Sequence, residues 1–308
     1  MSNDRFGMRW GLAGGTTLAS IEEARQAARL ATDGGFDSFW ISHARGVDPI
    51  LALACIADDV AGLKEVGTSV TPLYGRHPLG LAQLARSAQN VLGGRFTLGV
   101  GASAKGHAEG ALGLTWDKPF SFTREFMDAM QPLLAGEPAD VTGEQVSAHA
   151  ELAIEAPPTP VLLAALGPRM LRFAGGRTAG TTLGQCGPRT IENYVLPHLR
   201  AGAEAAGRPT PRIMALVRIC VTQDRTAAKA LAREISAFYQ SIPSYAAVTA
   251  HEGLAEPSDL HLIGEWQEVL DGLAAYGEAG ATDFRIQVAC PDEKSRSETE
   301  ARLAEYLS

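Results

Sequence analysis

Pro160-Val-Leu-Leu-Ala-Ala-Leu-Gly-Pro-Arg-Met170 passes from a continuous apolar run into Gly167-Pro168. Beyond it Met170, Leu171, Phe173 and Ala174 recur at helical spacing. An apolar run of this length reads as a strand buried on both faces. Pro168 suits the first helical turn, where its missing N–H costs nothing. A buried strand therefore gives way to a helix almost at once. The first amides of that helix have no intrahelical partner, and the helix dipole makes them attractive to an anion such as phosphate. Arg169 adds positive charge. The same residues also fit an ordinary strand-to-helix connection.

Outward from this stretch the same alternation repeats. Short β-branched, aromatic or aliphatic runs predict strands at 8–12, 36–42, 65–71, 95–101, 161–165, 179–183, 213–221 and 284–288. Amphipathic spacing predicts helices at 20–31, 49–60, 77–92, 121–134, from 168 onward, 188–206, 226–239, 263–280 and 295–307. Ser20, Asp48 and Asp224 stand where caps belong, and Pro49 and Pro188 stand at first helical positions. Eight strands each followed by a helix imply a parallel sheet, and eight units favour a closed (β/α)8 TIM barrel. The expectation is one domain over residues 1–308, with excursions at 102–117 and 136–157 after strand four and at 241–262 after strand seven.

Bulk composition agrees. The chain has 308 residues, of which 45% are apolar, and a barrel of this kind takes about 250. A net charge of −8 argues against nucleic acid or an anionic membrane as the main partner. The four cysteines, Cys55, Cys186, Cys220 and Cys290, form no C-x-x-C pair and read as reduced, packed thiols of a cytoplasmic protein. There is no apolar span long enough for a membrane helix and no hydrophobic segment in residues 1–10 that suits a signal peptide.

In a barrel the site is assembled from the ends of the strands. Those ends hold Gly14, Gly15, His43, Ser69, Val70, Thr71, Gly99, Gly101, Ala102, Ser103, Ala165 to Arg169, Leu183 to Gln185, Arg218 and Val288. The set is poor in acids and nucleophiles, which suits a bound cofactor that carries the chemistry. His43 is the one obvious titratable group, fit for proton transfer, cofactor contact or plain backbone hydrogen bonding. Gly99-Val-Gly-Ala-Ser-Ala104 fits G-x-G-x-x-A but lacks the acid that completes a dinucleotide fingerprint. Ser103 misses the G-x-S-x-G elbow by one glycine. The histidines show no metal-ligand spacing, and no metal is expected.

Four motifs in order, Phe36-Asp-Ser-Phe-Trp-Ile-Ser-His43, Gly67-Thr-Ser-Val-Thr-Pro72, Gly94-Arg-Phe-Thr-Leu-Gly-Val-Gly101 and Leu163-Ala-Ala-Leu-Gly-Pro-Arg-Met170, resemble the bacterial luciferase-like superfamily. Within it the chain is most similar to the branch that uses the deazaflavin coenzyme F420. The resemblance implies a barrel with a flavin-like ring at its open end. It implies a non-proline cis peptide after strand three, here Ser69-Val70, under that ring. It also implies a phosphate held by Ala165, Leu166, Gly167, Pro168 and Arg169, with Ser69, Val70, Thr71, Gly99, Gly101, Ala102 and Ser103 along the cofactor. His43 corresponds to a histidine that lies against the deazaflavin and assists transfer, and a homodimer is implied.

Three departures separate the chain from the sugar-phosphate dehydrogenases of that branch. Ser42 stands where they carry Asp, no acid stands near Ala104, and Gly187 falls near their basic phosphate-binding residue. The expectation is therefore a reductase that delivers hydride from reduced deazaflavin to an electron-poor C=C or C=N bond of a small organic molecule. The alternatives are an FMN-dependent luciferase-like monooxygenase and a non-catalytic flavin-binding subunit.

Overall fold

The computed structural model describes residues 5–240 and 242–308. Residues 1–4 of the N-terminal segment, and residue 241, where the second excursion was expected to begin, lie outside the described residues. The strands are β1 (Arg9–Ala13), β2 (Ser38–Ile41), β3 (Glu65–Thr68), β4 (Thr71–Pro72), β5 (Phe96–Gly101), β6 (Ala139–Thr142), β7 (Ser147–Ala150), β8 (Val161–Leu163), β9 (Gly180–Leu183), β10 (Arg212–Val221), β11 (Leu262–Gly264) and β12 (Asp283–Val288). The hydrogen-bonded order β10-β12-β1-β2-β3-β5-β8-β9 returns to β10, so eight strands close on themselves in a (β/α)8 barrel. β4 adds to β5, β11 adds to β10, and β6 with β7 forms a separate hairpin. Pairings within the large sheet are parallel, for example Trp10 opposite Phe284 and Thr71 opposite Val100.

The helices are α1 (Ile21–Asp33), α2 (Pro49–Cys55), α3 (Pro78–Val91), α4 (Pro119–Ala135), α5 (Pro168–Arg177), α6 (Pro188–Thr190), α7 (Leu196–Ala205), α8 (Arg225–Gln240), α9 (Pro243–Glu252), α10 (Trp266–Glu278) and α11 (Glu293–Leu307). Their starts follow the expected capping chemistry. Ser20 Oγ accepts from the Glu23 amide at 3.1 Å, Asp48 accepts from Ile50 and Leu51, and Asp224 accepts from Ala227 at 3.1 Å. None of the described helices is long and apolar enough to cross a membrane.

The chain divides into two compact units. One holds the residues up to Gly14, Arg29–Phe39 and Ala165–Ser308. Its core is built on Trp10, whose ring meets Phe284 edge-on at 4.9 Å and whose amide donates to Asp37 Oδ2 at 2.9 Å. The other unit holds Gly15–Ala28 and Trp40–Ala164. Its core gathers Trp40, Phe96, Phe126, Ile50 and Leu53, all essentially buried. Here Arg86 of α3 is buried and donates to the Leu134, Ile154 and Ala156 carbonyls. It thereby satisfies the end of α4 and ties down the chain that leads into β8. Glu125 of α4 accepts from the Gln145 and Val146 amides and anchors the β6–β7 hairpin.

Several expectations need correction. The third strand ends at Thr68, and pairing resumes only at β4, beyond the cis Ser69-Val70 peptide. α2 stops at Cys55 rather than near Val60. Leu262–Gly264 pairs with β10 instead of starting the next helix, which the Glu265 capping box delays to Trp266. The helix after β9 contains a π-helical turn at Ile191–Val195. Pro197 lies just beyond it and cannot donate to the carbonyl four residues back. Cys55 is exposed, so only three of the four thiols are packed.

His261 is buried, and its Nε2 lies 3.2 Å from Ser236 Oγ. Burial first, and then the charge of Arg218, push it down to about 3. Between that value and the ordinary one near 6.5 the unfolded chain binds the extra proton, so stability falls as pH drops through this window. We predict that His261→Gln flattens the acid limb of a urea-unfolding series, gaining about 2 kcal/mol on wild type near pH 4.5. Parallel pH profiles for the two proteins would refute it.

Candidate active site

His43 follows β2, and its amide donates to the Val70 carbonyl at 3.3 Å. Ser42 donates from its hydroxyl to the Ser69 carbonyl at 2.7 Å, and from its amide to Gly15 at 3.2 Å. The Ser69-Val70 peptide is cis, as the resemblance implied. Thus Ser42 fills the expected acidic position with a hydroxyl that is bound to the cis segment. Thr68 donates to the Gly99 carbonyl at 2.7 Å. A Cβ on Gly99 would lie 1.9 Å from the Thr68 carbonyl oxygen, so β3 and β5 approach this closely only around a glycine. At Gly101 a Cβ would meet Val70 and Ala164 at 3.2 Å. The Thr71 hydroxyl is buried without a hydrogen-bond partner, the kind of orphaned group that a ligand can satisfy. Ala102 is half-buried, and Ser103 is exposed with φ 86°, a left-handed conformation that is uncommon for serine.

Two loops reach the His43 ring. Asp48, which caps α2 through Oδ1, meets Arg76 through Oδ2 at 2.6 Å. The same Arg76 nitrogen lies 3.4 Å from His43 Nδ1. Burial lowers the His43 pKa most, followed by the Arg76 charge; Asp48 opposes and His107 adds a smaller depression. The ring therefore gives up its proton at a lower pH than a free histidine does. The sequence offered no signal for Arg76, because its nearness to His43 arises from two separate loops. His107 lies in a π-helical turn, His107–Ala111, inside the stretch expected as an open loop. Tyr74, after β4, packs on Trp116 at 4.6 Å and on Phe122 at 4.2 Å.

In the other unit, Ala165 is buried and Leu166 half-buried, while Gly167, Pro168 and Arg169 are exposed. Gly167 is extended at the N-cap of α5 and, as a glycine, supplies no side-chain cap of its own. A Cβ at Gly167 would find nothing within 4 Å. The strand-to-helix reading of the stretch from Pro160 to Met170 therefore holds, with exposed residues at a helix start, a place that suits an anion. The start of α6 differs. The Glu252 carboxylate accepts from the Arg189 amide at 3.2 Å and from the Thr190 amide at 2.8 Å, so these amides already hold an anion of the chain's own.

Gln185 follows β9 with φ 57°. Its side chain is buried, and neither amide atom has a hydrogen-bond partner. Sequence reading placed it at a strand end but gave it no role. A polar residue between a strand and Gly187-Pro188 was the only cue. An amide left in this state has two N–H donors and a carbonyl acceptor to offer a ligand. Among the described residues no cluster of three or more His, Cys, Asp or Glu side chains could hold a metal.

Residues 7–283 match the family model described as luciferase-like monooxygenase. A 5,10-methylenetetrahydromethanopterin reductase of Methanolobus tindarius is 32% identical over 205 residues, 66% of this chain and 62% of that protein's length. An F420-dependent glucose-6-phosphate dehydrogenase of Nakamurella multipartita is 30% identical over 241 residues, 73% of this chain and 70% of that one. The solved structure of the coenzyme F420-dependent tetrahydromethanopterin reductase from Methanopyrus kandleri shares the fold. Its TM-score is 0.82 at 20% identity, covering 98% of this chain and 99% of that one.

We predict that Gly99→Ala destabilises the protein by about 3 kcal/mol or more, or prevents folding, because the clash is with backbone. Gly167→Ala is expected to stay within about 0.5 kcal/mol of wild type, since the new methyl meets open space. Urea midpoints decide, and equal stability of the two variants would contradict the close approach of β3 and β5.

Proposed function

Because the chain belongs to the luciferase-like monooxygenase family, we propose that it is an oxidoreductase that binds coenzyme F420 and reduces an electron-poor C=C or C=N bond of a small organic molecule. The observation that carries this reading is the start of α5. It is exposed, and it is led by a glycine that has no side chain to cap it, and these features fit a cofactor phosphate. Ala165, Leu166, Gly167, Pro168 and Arg169 would hold that phosphate. The unpartnered Thr71 hydroxyl, Ser69, Val70, Gly101, Ala102 and Ser103 would contact the ring system, and Gly99 would give β3 and β5 room behind them. Bound reduced, the deazaflavin would supply the hydride.

The chain's own residues do the rest. His43, neutral and braced by Arg76 and Asp48, orients a hydrogen bond at the reacting end. Gln185 offers a neutral donor and acceptor to a polar ligand edge. Glu252 occupies the amides that open α6, which supports a substrate without a phosphate there. That separates this reading from the sugar-phosphate oxidation that the Nakamurella relative's name describes.

One substitution tests the phosphate site with two opposite signs. Gly167→Asp places a capping carboxylate over the first turn of α5. We predict a gain in stability of about 0.5–1 kcal/mol, together with at least a tenfold loss of F420 affinity in a fluorescence titration. Wild-type protein that binds FMN tightly and F420 not at all would overturn the proposal. So would a Gly167→Asp variant with unchanged F420 affinity.

A further inference from the structure

We infer that Arg76, braced by Asp48, is a positioning residue that fixes the tautomer of His43, so that the ring hydrogen sits on Nε2 and His43 meets its ligand as a neutral hydrogen-bond donor. A guanidinium has donors and no acceptor. Arg76 Nη2 lies 2.6 Å from Asp48 Oδ2 and 3.4 Å from His43 Nδ1, so it can offer one hydrogen to each. Nδ1 must then accept. The competing arrangement has Nδ1 donating to Asp48, but that separation is 3.6 Å, beyond hydrogen-bond range.

Both partners are themselves held. Asp48 Oδ1 accepts from the Ile50 amide at 2.9 Å and the Leu51 amide at 3.2 Å, which fixes its carboxylate at the start of α2. The Arg76 amide donates to Leu73 at 3.1 Å, just before α3. The His43 backbone is tied to Val70. The charged and titratable groups that act on His43 are Arg76 and Asp48 from these two loops and His107 from the π-helical turn after β5. Arg76 is about four-fifths buried at its side chain, so it faces the ring from a partly desolvated position.

The consequence is chemical. Protonating His43 would put an N–H on Nδ1 against a guanidinium, so the ring works as a polarising donor from Nε2 and not as an imidazolium acid. This consequence rests on the F420 reading, whereas the tautomer itself does not. Long-range proton–nitrogen NMR of protein labelled at histidine nitrogen reads the tautomer directly. His43→Gln identifies the His43 signals among the seven histidines.

Wild type is expected to show hydrogen on Nε2 at neutral pH. Arg76→Met is expected to shift the hydrogen toward Nδ1, facing Asp48, and to raise the titration of His43 by about one pH unit. Arg76→Lys keeps a donor and a charge, and is expected to keep the wild-type pattern. Hydrogen on Nδ1 in wild type would overturn the inference, and so would an Arg76→Met spectrum and titration matching wild type. If Arg76→Met does not fold, the wild-type spectrum decides alone. F420 binding with the wrong tautomer defeats this inference only, and the right tautomer without F420 binding defeats the cofactor reading only.

Discussion

Around Gly99 the backbone of β5 lies so close to the Thr68 carbonyl that no side chain fits between them. Much of one unit's site chemistry depends on that approach. Thr68 can reach the Gly99 carbonyl with its hydroxyl, and the chain then turns through the cis Ser69-Val70 peptide into β4. The carbonyls of Ser69 and Val70 are thereby presented to Ser42 and to the His43 amide. A histidine at the end of β2 is fixed by hydrogen bonds to a segment that β3 and β5 position. Packing of this kind holds a functional group more firmly than a loop can.

Helix starts divide the work in a second way. Asp48 closes α2 with one carboxylate oxygen and holds Arg76 with the other. Glu252 closes α6 from another helix, α9. α5 begins with glycine and proline, and its N-cap residue has no side chain. The three sites share the same backbone electrostatics. At α2 and α6 a carboxylate of the chain occupies those amides, whereas the N-cap residue of α5 has no side chain to do so.

Buried polar groups carry the remaining information. The Thr71 hydroxyl and both amide atoms of Gln185 lack hydrogen bonds within the protein. A buried polar atom without a partner is costly, so such groups mark places where a ligand or water completes the arrangement. Both follow strand ends, where a barrel keeps its chemistry. His261 pays its desolvation differently: it stays neutral at a depressed pKa beside Ser236.

Local periodicity and capping chemistry were legible in the sequence, because they act over four residues or fewer. The eight strands, the caps Ser20, Asp48 and Asp224 and the entry of α5 at Pro168 all follow from such short-range rules. The cis peptide at Ser69-Val70 was legible only through resemblance. What tertiary structure alone decided are the meetings of distant residues, Arg76 with His43 and Glu252 with the start of α6, and the burial of the Gln185 amide without hydrogen-bond partners. No propensity encodes these, since each depends on where two separately folded segments come to rest. The break in the third strand and the strand pairing of Leu262–Gly264 escaped for the same reason: ladder partners across a sheet, rather than the residues themselves, determine them.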